Sequence, residues 1–89
     1  MISVSIPTIL RPHTSGDKRV RVQGGTVAEV ISDLERNYPG LAGRVARDGK
    51  LHRYVNVYVD DEDVRFNGGL QAIVPVGATV TILPAVAGG

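Results

Sequence analysis

The sequence predicts an α+β domain in which one main helix covers a mixed sheet of four to five strands. Apolar and polar residues alternate with period two near both ends of the chain and near its middle, which is typical of strands with one buried face. A single stretch, residues 27–38, carries apolar residues at helical spacing. A half-apolar sheet and an amphipathic helix can bury each other's apolar faces, so these observations together favour a two-layer fold.

Length and composition limit the class of protein. The 89 residues suit one domain, and the 43% hydrophobic and 21% charged residues are ordinary for a globular chain. A net charge of +1 does not supply the positive field that sequence-independent nucleic-acid binding needs. With no cysteine, the chain has no disulfide and no thiolate nucleophile. A cytoplasmic location is expected, because no signal-peptide pattern and no apolar run of about 20 residues is present.

The first two strands are predicted to form a hairpin. Isoleucine and valine alternate with serine over residues 2–6, and Pro7 is expected to end this strand because it lacks an amide N–H. Residues 11–17 are rich in turn formers. Valines then alternate with polar residues over 19–23, which predicts the returning strand.

The helix has clear start and stop signals. Thr26 and Glu29 have the spacing of a capping box, in which the Thr26 hydroxyl accepts from the Glu29 N–H and the Glu29 carboxylate accepts from the Thr26 N–H. Pro39 is expected to stop the helix. One stripe of apolar residues follows the cap: Val27, Val30, Ile31, Leu34 and Tyr38.

The middle of the chain is less regular. Residues 41–50 have a weak pattern that fits a short helical turn over 41–45 and then a glycine-containing loop. Residues 55–59 alternate as a third long strand. The acidic residues 60–63 predict a turn, after which residues 64–66 are expected to return as a short strand.

The last strand is predicted over residues 79–83, ended by Pro84. Strand, strand, helix, strand, short strand, strand is the order of the β-grasp (ubiquitin-like) fold, in which the last strand lies beside and parallel to the first. We therefore expect a β-grasp domain over residues 1–84 and a flexible C-terminal tail, 85–89, that ends in Gly-Gly. Three apolar residues before the last strand are expected to tuck a connecting segment under the sheet: Leu70, Ile73 and Val74.

The tail is the first candidate for chemistry. Gly88 and Gly89 lack a Cβ, so they can pass a narrow channel and adopt backbone conformations closed to other residues. Five extended residues reach about 17 Å, enough to carry a terminal carboxylate into a partner's site. A carboxylate is a poor acyl electrophile, so such a tail implies external activation, most simply as an acyl-adenylate formed from ATP. On the tail alone, a frayed terminus of small residues remains the alternative.

The remaining polar clusters do not predict an active site. The acidic residues 60–63 lack the spacing and glycine of a calcium loop, which favours a solvated turn. The basic cluster of Lys18, Arg19 and Arg21 favours an exposed strand face, with a docking role as the alternative. His13 and His52 are far apart and have no neighbours at metal-ligand spacing, so no metal site is predicted. The chain is therefore not expected to be an enzyme.

Longer segments resemble a known family. Residues 6–12, 51–59, 61–66 and 80–89 are similar to the corresponding segments of CysO-type sulfur carriers, which are ubiquitin-like proteins of the ThiS/MoaD family. The resemblance runs nearly end to end and is weakest at residues 41–50. The terminal Gly-Gly is shared with ThiS- and MoaD-like carriers in general and with ubiquitin, whereas the longer segments favour the cysteine route.

The resemblance implies a cycle performed by partner enzymes. An adenylating and sulfur-transfer enzyme of the ubiquitin-activating type would convert the Gly89 carboxylate to an acyl-adenylate and then to a thiocarboxylate. A cysteine synthase that depends on pyridoxal phosphate would accept the sulfur, and a metal-dependent peptidase would release cysteine. ATP, pyridoxal phosphate and the metal then belong to the partners, and this chain binds no cofactor, metal, nucleic acid or membrane.

Further site residues follow from this picture. The partners would recognise the tail through Gly88, Ala87 and Val86. The candidate docking residues on the body are Tyr58, Phe66 and Leu83. Three alternatives stay open: sulfur delivery to molybdopterin or thiamine synthesis, attachment to target lysines as a protein modifier, and a non-catalytic β-grasp interaction module with an idle tail.

Overall fold

A five-stranded mixed sheet forms one layer of the domain. The structure, a computed structural model, describes residues 1–85. The strands of the main sheet are β1 (Ile2–Ser5), β2 (Arg19–Val22), β5 (Val55–Val59), β6 (Glu62–Asp63) and β7 (Thr79–Pro84), and their order is β2-β1-β7-β5-β6. The predicted α+β fold, with four to five strands and one main helix, is confirmed.

The last strand lies in the centre of this sheet. β7 pairs parallel with β1, with Ser3 opposite Thr79 and Ser5 opposite Thr81. On its other side β7 pairs antiparallel with β5 along that strand's full length. The first and last strands are thus parallel neighbours, as predicted. Because β7 has a hydrogen-bonded partner on both sides, the chain leaves the domain from a well-anchored strand.

The one α-helix in residues 1–85, α1 (Val27–Asn37), covers one face of the sheet. Four of the five predicted stripe residues are fully or almost fully buried, as are the alternate residues of the strands beneath them, whereas Tyr38 follows the last helical residue and is half-buried. The helix residues of this core are Val27, Val30, Ile31 and Leu34, and the sheet residues include Val4, Val20, Val22, Val57, Val80 and Ile82.

The start of α1 confirms the predicted cap in part. The Thr26 Oγ1 accepts from the Glu29 N–H at 3.2 Å, as the capping box requires. The Glu29 Oε1, however, accepts from the N–H of Gly25 at 2.7 Å and not from that of Thr26, so this half of the prediction was wrong by one residue. The backbone before the cap runs close to the helix: a Cβ on Gly24 would lie 2.6 Å from the Val30 nitrogen.

The connection between β1 and β2 is more ordered than its turn-forming residues suggested. Thr8–Thr14 form a 3-10 helix, which buries Leu10 and Thr14. The buried Thr14 hydroxyl is within 2.9 Å of the carbonyl oxygen of Asp17, to which it donates. Burial of an apolar side chain and one satisfied hydroxyl stabilises this turn of helix, although its local sequence favours a loop.

The segment before β5 contains a small separate hairpin that the sequence did not predict. β3 (Ala46–Arg47) pairs with β4 (Lys50–Leu51), and the connecting residues Asp48 and Gly49 have φ values of 55° and 76°. Two consecutive residues with positive φ are typical of a tight hairpin turn. A 3-10 turn over Pro39–Leu41 precedes this hairpin, where a helical turn over 41–45 was expected.

Two further local predictions were displaced. The short strand that follows the acidic residues is Glu62–Asp63, and the expected strand at 64–66 is a 3-10 turn, Val64–Phe66. The Asp63 carboxylate accepts from the Arg65 N–H at 2.9 Å, which favours a helical turn there. In the segment before β7, Val74 is buried as predicted and Leu70 is half-buried, but Ile73 is 71% exposed.

Candidate functional site

The root of the tail is fixed at the end of β7. Pro84 lies opposite Val55, and the N–H of Ala85 donates to the carbonyl oxygen of Tyr54 at 2.7 Å. The backbone therefore remains hydrogen-bonded to its neighbour up to Ala85. Residues 86–89, which hold the predicted tail residues Val86, Ala87, Gly88 and Gly89, lie outside the described residues.

Two of the predicted docking residues share the outer face of the sheet. Along β5 and β7 the buried Val57 and Ile82 alternate with residues that face away from α1. Tyr58, half-buried, pairs with Thr81, and Leu83, 45% exposed, pairs with Asn56. Tyr58 and Leu83 are thus diagonal neighbours on adjacent strands, a relation in which side chains about 7–8 Å apart can contact each other.

Phe66, the third predicted docking residue, stands on a turn that is tied to β5. Its side chain is 84% exposed. The guanidinium of the preceding residue, Arg65, donates to the carbonyl oxygen of Val55 at 3.0 Å and also to the Asn56 side chain. These bonds hold the turn beside the end of β5 that lies next to Pro84.

The acidic residues 60–63 take part in the fold. The Asp60 carboxylate accepts from the Thr79 N–H at 3.1 Å, and the Glu62 carboxylate accepts from the Asn67 amide at 2.8 Å. These bonds, with the Asp63 cap, shape the connection that leaves β5. We call residues 60–63 the acidic turn.

Within residues 1–85 the structure contains no group of three or more histidine, cysteine, aspartate or glutamate side chains placed to hold a metal ion. In the same part of the chain, every buried side-chain nitrogen and oxygen has a hydrogen-bond partner.

In the described part of the chain, none of the helices has the length and apolar character needed to cross a membrane.

An open groove of about 970 Å³ borders the root of the tail, and sequence reasoning missed it. Its lining comes from four separate stretches of the chain and includes Pro84 and Ala85. The one sequence signal that pointed here is charge: residues 44–53 hold four basic side chains and one acidic one. We call this feature the tail-root groove.

Comparison with known proteins identifies the family of this chain. The sequence profile of the ThiS family matches residues 4–89. The chain belongs to the ThiS family. It is 60% identical over 91 residues to the sulfur carrier protein CysO of Mycobacterium tuberculosis, a match that covers 99% of this chain and 98% of that protein.

Two other similarities extend this picture. The chain is 39% identical over 64 residues to small archaeal modifier protein 3 of Haloferax volcanii, covering 72% of this chain and 70% of that one. Its structure superimposes on a chain of the BexX/CysO complex of Amycolatopsis orientalis with a TM-score of 0.94, at 58% identity and with all of both chains covered.

These findings confirm the main predictions made from the sequence. The fold is the ubiquitin-like β-grasp fold that the element order indicated. The chain is a small sulfur carrier protein of the CysO type and not a catalyst, as both its family and its 60% identity to a named carrier indicate.

Proposed function

We propose that the carboxylate of Gly89 is the reactive group of this carrier, and that it is adenylated and converted to a thiocarboxylate that donates sulfur for cysteine biosynthesis. One observation carries the proposal: the chain leaves the fold from the central strand, β7, and remains hydrogen-bonded up to Ala85. The 60% identity to a protein named as the sulfur carrier CysO supports the cysteine route over other sulfur acceptors.

The anchored root gives the tail a defined reach. Four residues follow Ala85, and an extended residue spans at most about 3.6 Å, so Gly89 can lie up to about 14 Å from the root. A partner can therefore close over the tail while it holds the folded body. The small residues Val86, Ala87 and Gly88 suit a narrow channel, because none carries a long side chain.

The chemistry needs two steps on a partner enzyme. A carboxylate oxygen of Gly89 attacks the α-phosphorus of ATP and pyrophosphate leaves. A donor equivalent to sulfide then attacks the acyl carbon, AMP leaves, and a proton is lost to give the thiocarboxylate. Adenylation thus supplies AMP as the leaving group that a free carboxylate lacks.

The partners follow from this cycle. We infer an adenylating and sulfur-transfer enzyme of the ubiquitin-activating type, a cysteine synthase that depends on pyridoxal phosphate, and a metal-dependent peptidase that releases cysteine. ATP, pyridoxal phosphate and the metal are bound by those enzymes. Because activation requires ATP, we propose that the carrier works in the cytoplasm. Tyr58, Phe66 and Leu83 are proposed to contact one or more of these partners through the outer face of the sheet and the adjoining turn.

The proposal is tested by intact-mass analysis. The chain is incubated with ATP, the host's activating enzyme and a sulfide source, and we expect a mass gain equal to the exchange of one oxygen for one sulfur. Fragmentation should place the change on Gly89. A variant that lacks Gly89 should gain nothing, and its thermal unfolding should match that of the wild type. An unchanged wild-type mass, under conditions in which the enzyme modifies a related carrier, would contradict the proposal.

A second measurement identifies the sulfur acceptor. Purified thiocarboxylate is offered separately to the host's cysteine synthase and to a molybdopterin synthase large subunit. We expect cysteine linked to Gly89 with the first enzyme and no sulfur transfer with the second. The reverse result would move the carrier to the molybdopterin route.

Protein modification is a second candidate function. The 39% identity to a small archaeal modifier protein favours it specifically. Blots of cell extract with an antibody to this chain should show higher-mass conjugates if the function exists. Their absence, in cells where the thiocarboxylate is detected, would leave sulfur transfer as the function of the tail.

A further inference from the structure

The tail-root groove is lined by both apolar and basic side chains. Its apolar lining includes Pro7, Ile9, Leu10, Tyr54 and Val55. Its basic lining includes Arg44 and Arg47, and the imidazole of His52 lines it as well. Because the stretches around residues 7–10, 40–47, 52–55 and 84–85 converge here, the groove is a property of the folded body and not of one loop.

Two large apolar side chains of the groove are open to solvent. Ile9 is 73% exposed and Tyr54 is 53% exposed. The Arg53 guanidinium lies 5.0 Å from the centre of the Tyr54 ring and donates to the Tyr54 hydroxyl at 2.9 Å. Exposed apolar surface beside tyrosine and arginine is the composition typical of the buried part of protein interfaces.

The arginines that line the groove form no ion pair within the described part of the chain. Arg44 donates through Nε to the carbonyl oxygen of Gly40 at 2.9 Å, which leaves its charge in place. In residues 1–85 the one ion pair joins Arg36 and Asp33, on α1. The groove therefore presents positive charge that a carboxylate from another molecule can approach.

The acidic turn lies away from the groove. Val55 lines the groove and Val59 immediately precedes the acidic turn, so the two features flank opposite ends of β5. Four residue steps along a strand span about 13 Å. The domain is thus polarised along this strand, with its positive end beside the tail. A charge distribution of this kind orients a partner during approach as well as after contact.

We propose that the tail-root groove docks an acidic surface segment of the activating enzyme, one that carries carboxylates for Arg44 and Arg47 and an apolar side chain for Ile9. This rests on the proposed function, in which that enzyme is the first to take the tail. An enzyme that holds Gly89 must lie within about 14 Å of Ala85, and Ala85 lines the groove, so the groove is within reach of that enzyme's surface.

The test compares the groove with a control of equal charge change. The groove variant is Arg44→Glu with Arg47→Glu, and the control is Arg19→Glu with Arg21→Glu, on the exposed side of β2 at the edge of the sheet. The affinity for the activating enzyme and the KM and kcat of pyrophosphate release are measured at low and high salt. We expect the groove variant to raise Kd and KM by about tenfold or more at low salt, with kcat within about twofold.

The control variant should raise KM by no more than about threefold, and wild-type KM should rise with salt more steeply than that of the groove variant. Because the Arg44 side chain also donates to a backbone carbonyl, the single variant Arg47→Glu is measured as well. The Arg47 side chain forms no hydrogen bond within residues 1–85. Arg47→Glu should therefore retain the wild-type melting temperature and raise KM by about threefold. Equal effects of the groove and control variants, or no effect of Arg47→Glu, would overturn the proposal.

The same data separate this proposal from the proposed function. If the wild-type chain binds the enzyme through Arg44 and Arg47 but gains no sulfur, the docking proposal is supported and the sulfur-carrier proposal is contradicted. If the wild-type chain gains sulfur and the groove variants behave as wild type, the sulfur-carrier proposal is supported and the docking proposal is contradicted. If it does not bind the enzyme at all, the groove proposal is overturned as well.

Discussion

The two ends of β5 carry opposite charges and use them differently. At the Val59 end, the carboxylates of Asp60, Glu62 and Asp63 accept hydrogen bonds from residues of this chain. At the Val55 end, Arg44 donates to a carbonyl oxygen and Arg53 lies against the Tyr54 ring, and neither they nor Arg47 form an ion pair within residues 1–85. A cluster whose groups are already bonded serves the fold, whereas a cluster with remaining capacity is available to a partner.

The largest effect on stability is expected from a substitution in the core that supports both ends of β5. Ile82 is buried and lies opposite Val57, midway along β5, so it supports both ends of the strand. Ile82→Ala should lower the free energy of unfolding by about 2–5 kcal/mol. The matched control is the next residue, Leu83→Ala, which should cost less than about 1 kcal/mol because Leu83 is on the outer face.

Urea denaturation followed by circular dichroism checks this prediction, and hydrogen exchange reports whether the two ends unfold together. We expect the N–H groups of Thr79 and Ala85 to lose protection in parallel in Ile82→Ala, since both depend on β7. Loss of protection at one end alone would show that the two ends of β5 unfold independently, which would contradict the prediction that β7 couples them.

The structural role of the acidic turn makes a second, smaller prediction. Asp60→Ala removes the acceptor of the Thr79 N–H, and Asp63→Ala removes the cap of the Val64–Phe66 turn. Each should lower the free energy of unfolding by about 0.5–2 kcal/mol. Neither should change the KM for activation beyond about twofold.

Asp61 is the control within the same turn, because no hydrogen bond of its carboxylate is recorded in the described residues. Asp61→Ala should change the free energy of unfolding by less than about 0.5 kcal/mol, measured by the same denaturation. Asp60→Asn keeps an acceptor oxygen and should recover much of the stability that Asp60→Ala loses. If Asp61→Ala destabilises as much as Asp60→Ala, the turn acts through total charge and not through individual bonds.

The smallest expected effect concerns Arg53 at the basic end. Arg53→Ala removes the contact with the Tyr54 ring and the bond to its hydroxyl, which at an exposed site contribute about 0.5–1 kcal/mol or less to stability. We expect a KM about two- to threefold higher and a melting temperature close to that of the wild type. Arg53→Lys tests charge alone; a full recovery of KM by lysine would show that stacking on Tyr54 plays no part.

Local patterns were sufficient where a short stretch determines its own structure. The Thr26 cap and the stripe that follows it identified α1, and period-two alternation identified the four longer strands. They were insufficient where two local structures have similar free energies. Residues 64–66 could continue as a strand or close as a turn, and the Asp63 carboxylate together with burial of Val64 favours the turn.

The sequence by itself determined the α+β class, the position of the helix, the order of the strands and the candidate reactive group at Gly89, because periodicity, capping and the Gly-Gly terminus are local properties of the chain. Tertiary structure alone decided the exposure of Ile73 and the tail-root groove. The groove joins residues as distant as Pro7 and Ala85, and contacts between residues so far apart in the sequence form only when the sheet brings β1, β7 and β5 side by side.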